Sequence, residues 1–110
     1  MADTKRIREL NIQFWRAPHL HGRLMMSRYI SDRSLHFQMK CIEALRVYDG
    51  WNADNDSHGE ADMCVLDIDG ETVWAKVEYH SRADLNYGSD DPADTAKTLR
   101  IATLMFPDEY

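Results

Sequence analysis

No run of apolar residues in this 110-residue chain approaches membrane-spanning length, and the opening Met1-Ala2-Asp3-Thr4-Lys5 lacks the apolar stretch of a secretory signal. Cysteine is scarce. Cys41 and Cys64 stand far apart with no Cys-x-x-Cys pair, which excludes a disulfide framework or thiol-redox motif. Both read as small core residues in a reducing compartment, so the expected location is the cytoplasm. The five glycines are dispersed, one to a turn, and form no phosphate cradle. There is no Gly-x-Ser-x-Gly elbow, and no Cys/His arrangement has supporting spacing. No cofactor is expected, and the balance leans away from an enzyme.

What is present describes one folded domain over residues 1–110. Hydrophobic content of 44% and charged content of 29% are those of a globular protein rather than a disordered one. Its net charge of −6 is unevenly spread. Residues 1–50 carry nine basic and five acidic side chains, whereas residues 51–110 carry four and fourteen. The acidic half argues against direct nucleic-acid binding, since phosphates need cations, and favours a protein partner with a basic surface.

Residues 4–16 read as a helix with Ile7, Leu10 and Phe14 on one face, Asp3 or Thr4 as cap, and Pro18 barring continuation. Lys5 and Arg6 in its first turn oppose the helix dipole. Residues 22–30 suit a strand. A second helix is expected over 32–48, capped by Ser31 or Asp32 and stopped by Gly50. Its buried face combines Leu35, Met39, Ile42 and Leu45 with Phe37, Cys41, Ala44 and Tyr48. Asp69-Gly70 signals a two-residue hairpin turn, which sets Leu66 opposite Val73 and Cys64 opposite Ala75 on the core face. Val65 then meets Trp74, and Asp67 meets Thr72, on the other. After a loop at Asn86, Gly88 and Ser89, Asp91-Pro92-Ala93-Asp94 reads as the start of a third helix. Its stripe is Ala96, Leu99, Thr103 and Phe106, and Pro107 ends it. The expected fold is α+β in the order α-β-α-β-β-α, a three-stranded antiparallel sheet with helices packed on one face.

Chemistry concentrates at Asp54-Asn55-Asp56-Ser57-His58-Gly59-Glu60-Ala61-Asp62, where four carboxylates crowd a turn-rich loop. The spacing Asp54-x-Asp56-x-His58-Gly59 resembles the opening of a calcium loop. His58 is a poor ligand for a hard cation, however, and Val65 holds the twelfth position where a bidentate Glu belongs, so no metal is assigned. His19-x-His21 has no third ligand at zinc spacing, and His36, His58 and His80 are scattered. The candidate partner-binding residues are Trp51, Asp54, Asp56, Glu60, Asp62, Asp67 and Trp74, with the tryptophans as anchors beside the acids. Glu60, Asp62, Glu78 and His80 are the candidates for acid–base work.

Several segments together resemble an uncharacterised family of small bacterial, mostly alphaproteobacterial, proteins known only as a domain of unknown function. The matching pieces are Arg6-Ile7-x-x-Leu10-Asn11-x-x-Phe14 and Asp54-Asn55-Asp56-x-x-Gly59-Glu60-x-Asp62. They continue with Asp69-Gly70, Val73, Lys76 and Tyr79, then Gly88-Ser89-x-Asp91-Pro92-x-Asp94 and Arg100-Ile101-x-Thr103-Leu104-Met105. Ser57, Ala75 and His80 depart from the pattern, which has proline, an aromatic and tyrosine there. The resemblance brings no activity with it, but the frequent location of such genes on plasmids and prophages implies counter-defence or regulation. The leading expectation is therefore a small acidic, non-enzymatic interaction protein. Its concrete form is a mobile-element inhibitor of a nucleic-acid-binding defence complex, of the anti-CRISPR or antirestriction kind. The alternative is a small ligand- or metal-binding module, with or without catalysis, that uses loop 54–62. Self-association of the basic N-terminal helix with the acidic half of another copy is a third arrangement.

Overall fold

The first helix forms where the apolar spacing places it. In the computed structural model, which describes residues 3–110, α1 spans Thr4–Arg16 and buries Ile7, Leu10, Asn11, Phe14 and Trp15 along one face. Met1 and Ala2, the start of the stretch read for a signal, lie outside the described residues. The Asp3 carboxylate caps α1 by accepting the Arg6 N–H at 3.0 Å. Pro18 opens a new turn of helix, α2 (Pro18–His21), since a first helical position needs no N–H. Strand β1 covers only Gly22–Met26, four residues short of the expected end. Ser27 stops it there, because its hydroxyl caps the short α3 (Arg28–Ser31) by accepting the Ile30 N–H. Likewise Ser34, rather than Ser31 or Asp32, caps α4 (Leu35–Val47). Leu35 and Met39 of the expected face are exposed, and Phe37, Cys41 and Leu45 form the buried stripe that meets the sheet.

The hairpin forms in the expected register from β2 (Met63–Ile68) and β3 (Glu71–Ser81). Asp69 and Gly70 have φ of 54° and 82°, the left-handed backbone of a type I′ turn.

Residues 91–106 are not a helix. Asp91-Pro92-Ala93-Asp94 forms successive turns, in which Asp94 N–H bonds Asp91 O and Lys97 N–H bonds Asp94 O. Strand β4 (Thr98–Met105) follows. The period-2 alternation of Arg100, Ala102 and Leu104 against Ile101, Thr103 and Met105 outweighs the helical spacing of Leu99, Thr103 and Phe106. The sheet therefore has four strands in the order β1-β4-β3-β2, with β1 parallel to β4 and the other pairs antiparallel. The class remains α+β, but the sheet is mixed rather than three-stranded and antiparallel.

Phe14 and Trp15 of α1, Ile30 of α3, and Phe37, Cys41 and Leu45 of α4 pack with Cys64, Leu66, Val73, Ala75, Val77, Ala102 and Leu104 of the sheet. Alternate strand residues such as Met25, Val65 and Trp74 turn to the opposite face, where Tyr110 meets Trp74 edge-on at 5.9 Å. Gly22 pairs with Arg100 so closely that a Cβ there would lie 2.2 Å from Arg100 O and 2.7 Å from Phe14 Cε1. Among the described residues no helix is long and apolar enough to cross a membrane.

Candidate functional site

The acidic loop folds back onto α1, and three of its four carboxylates are engaged by groups of the same chain. The Asp56 side chain is 3% exposed and accepts from Arg8 Nη1 at 2.7 Å, while both its oxygens accept the Ala61 N–H at 3.1 Å. Arg8 also donates to Gly59 O, and Trp15 Nε1 donates to Ala61 O at 2.8 Å. Positive φ angles at Gly59 and Ala61 give the loop this reversal. Glu60 accepts from the Tyr79 hydroxyl at 2.9 Å, and Asp62 faces Lys76 at 3.7 Å. Asp54 is left exposed. Trp51 sits under the loop, its Nε1 donating to Met63 O and its ring 5.7 Å from the guanidiniums of both Arg8 and Arg16. Asp67 and Trp74 lie apart from this cluster on the far face of the hairpin, and Asp67 caps the turn by accepting the Gly70 N–H. Glu78 and His80 alternate with the core residues of β3 and so are separated from Glu60. Among the described residues no group of three or more His, Cys, Asp and Glu side chains is placed to hold a metal ion.

Beneath the loop Glu60 joins a polar network with Asn11 and Arg100, two residues that none of the sequence expectations singled out as a site. Asn11 is fully buried; its Nδ2 donates to Glu60 O at 2.9 Å and to the Tyr79 hydroxyl at 2.7 Å. Its Oδ1 accepts from Arg100 Nε at 2.6 Å. Arg100 Nη2 donates to Pro92 O at 2.7 Å, and the Tyr79 ring lies 5.2 Å from the guanidinium. Burial pushes the Tyr79 phenol well above its ordinary value and draws Arg100 below its own. Arg100 is 3% exposed, yet no described carboxylate lies within 4.0 Å of it. The Glu60 carboxylate, bonded to the Tyr79 hydroxyl, acts on Arg100 only through space, so no direct ion pair offsets the cost of burying this cation. The signal in the sequence was one polar residue inside each apolar pattern, Asn11 in α1 and Arg100 before Ala102 and Leu104.

Arg100 lines a cavity of about 570 Å³ at the end of the sheet where α1, α2 and β1 meet β4. Arg6, Arg23, Arg82, His19 and His21 line it too, and no Asp or Glu does. Arg82 is positioned by donating from Nε to Thr95 O at 2.9 Å. Among the described residues the Arg6 guanidinium pairs with Glu9 at 3.7 Å, both side chains being about half exposed. Charges of one sign gathered at one opening raise the local concentration of counter-ions there. The cavity is thus chemically equipped to hold an anion.

A family model described as "Protein of unknown function (DUF3768)" matches residues 26–109. The chain belongs to this family. The match covers Glu60, Tyr79, Arg82 and Arg100, while Arg6, Asn11, His19, His21 and Arg23 precede it. No curated protein and no solved structure matches the chain. One residue from each of five separate resemblance motifs meets here in one hydrogen-bonded network: Asn11, Glu60, Tyr79, Pro92 and Arg100. Of the departures, Ala75 is a buried core residue between Cys64 and Leu104, so that position concerns packing.

Proposed function

We propose that this domain is a binding module for an anionic ligand, held in the cavity lined by Arg6, Arg23, Arg82 and Arg100. The observation that carries the proposal is the buried Arg100 guanidinium with no carboxylate beside it. A bound anion would supply the missing charge through a charge-assisted hydrogen bond, among the stronger contacts a protein makes. The absence of any carboxylate or thiol from the lining favours binding over catalysis. The unbridged Cys41 and Cys64 fit a cytoplasmic setting.

Thermal denaturation in phosphate, sulfate, citrate or pyrophosphate, each matched for ionic strength with chloride, tests the proposal. At least one should raise Tm in the wild type, since a ligand that binds only the folded state stabilises it. Arg100→Gln should lose that rise and Arg100→Lys should retain part of it. No rise with any of the four at millimolar concentration overturns the reading.

A second reading keeps the acidic half as a docking surface for a basic protein partner, the inhibitor role being its concrete form. Asp54 and Asp67 favour it, since both are exposed and neither is in an ion pair among the described residues. Lysine at both positions should weaken partner binding and its salt dependence; unchanged binding removes this reading.

A further inference from the structure

We infer that the ligand of this cavity carries at least two phosphoryl groups, as a small diphosphate or triphosphate does, an inference that rests on the anion-binding reading above. Charge is the first argument. Four guanidiniums line the space with two histidines and no acid. One phosphoryl group carries about −1.5 to −2 near neutral pH, less than the charge of Arg23, Arg82 and Arg100 even with Arg6 set against Glu9. Arrangement is the second. Arg100 is buried, whereas Arg6, Arg23 and Arg82 are exposed, so an inner cation sits below three at the rim. They arise from four separate segments, α1, β1, the loop after β3, and β4, and line one cavity. Size is the third. A cavity of about 570 Å³ is in the range that takes ligands of many heavy atoms. A lone oxyanion would leave most of it to water. Finally, all four cations are arginine and none is lysine, which suits the two-pronged recognition of phosphoryl oxygens. Beside them Leu20 at the rim is 81% exposed, leaving apolar surface for the body of the ligand.

Calorimetric titration with orthophosphate, pyrophosphate, tripolyphosphate and citrate at constant ionic strength tests the inference. Pyrophosphate should bind at least about tenfold tighter than orthophosphate, the gain from one further charge-assisted contact. Arg23→Gln or Arg82→Gln should reduce that advantage several-fold while orthophosphate binding persists. Arg46→Gln, remote from the cavity, should leave it intact. Equal affinity for orthophosphate and pyrophosphate, or citrate binding as tightly as pyrophosphate, overturns the inference and leaves the anion-binding reading standing. No binding of any of the four overturns both.

Discussion

Replacing Asn11 by alanine removes the centre of the buried network. Three partners lose their hydrogen bond to the side chain: Glu60 O, the Tyr79 hydroxyl and Arg100 Nε. Leaving a buried polar group unpaired costs about 1–3 kcal/mol, with the charged partner at the upper end. Tyr79 still donates to Glu60, and the loop is still held by Arg8 and Trp15, so the lower part of the range applies to those partners. The expected destabilisation is about 3–5 kcal/mol, a large share of the roughly 5–15 kcal/mol that holds a domain together. Urea denaturation reads it directly: with an m-value of about 1–3 kcal/mol/M, the midpoint should fall by at least about 1 M at unchanged m. Asn11→Asp makes a sharper comparison. It retains an acceptor 2.6 Å from Arg100 Nε and gives that cation the carboxylate it lacks. Its other oxygen meets the Glu60 carbonyl where Nδ2 donated, so the variant should weaken anion binding at the cavity without recovering the full stability of the wild type. A loss below about 1 kcal/mol for Asn11→Ala would refute the reasoning, since it would mean that water satisfies all three partners.

Gly22→Ala should destabilise by about 3 kcal/mol or more, because the new Cβ meets backbone Arg100 O at 2.2 Å and the buried Phe14 ring at 2.7 Å; a change under about 1 kcal/mol in the same urea assay would count against the close β1–β4 approach. Burial raises the Cys41 thiol to about 11 and lifts Cys64 further, so neither should react with a thiol reagent at pH 8 in the native state, and both should react once unfolded. The Arg33 hydrogen bond holds Glu71 below its ordinary value of 4.5, so its contribution to stability is complete above pH 4.5 and lost as pH falls through the lower folded value. The Tm difference between wild type and Glu71→Gln should be small at pH 7, because the pair is exposed, and should vanish in acid; a constant difference across pH would show that the pair does not couple to folding.

Much of the local structure could be read from short-range patterns. Ile7, Leu10 and Phe14 recur at helical spacing, and that face is buried. Asp69-Gly70 admits few backbone conformations, so it set the register of six residue pairs. The misreading at 91–106 has a definite cause. Asp91-Pro92 is a helix start and equally a turn start, and Leu99, Thr103 and Phe106 satisfy a helical stripe while residues 98–105 also alternate. Pairing decided between them: β4 bonds β3 on one side and β1 on the other, partners that no local window contains.

The candidate site divides in the same way. That loop 54–62 was unusual followed from its charge density alone, and the composition implied that its carboxylates needed partners. Which partners was a tertiary matter, since Arg8, Tyr79 and Lys76 are distant in the chain from Asp56, Glu60 and Asp62, and fold closure brings them within reach. The same closure gathers Arg6, Arg23, Arg82 and Arg100 around one cavity, although one-dimensional charge counting placed the last two in an acidic half. Composition and periodicity thus settled the class, the first helix, the hairpin and the excess of acid. The parallel β1–β4 pairing, the burial of Asn11 and Arg100, and the cationic cavity depend on contacts across nearly the whole chain, where electrostatics follow distance in space rather than separation in sequence.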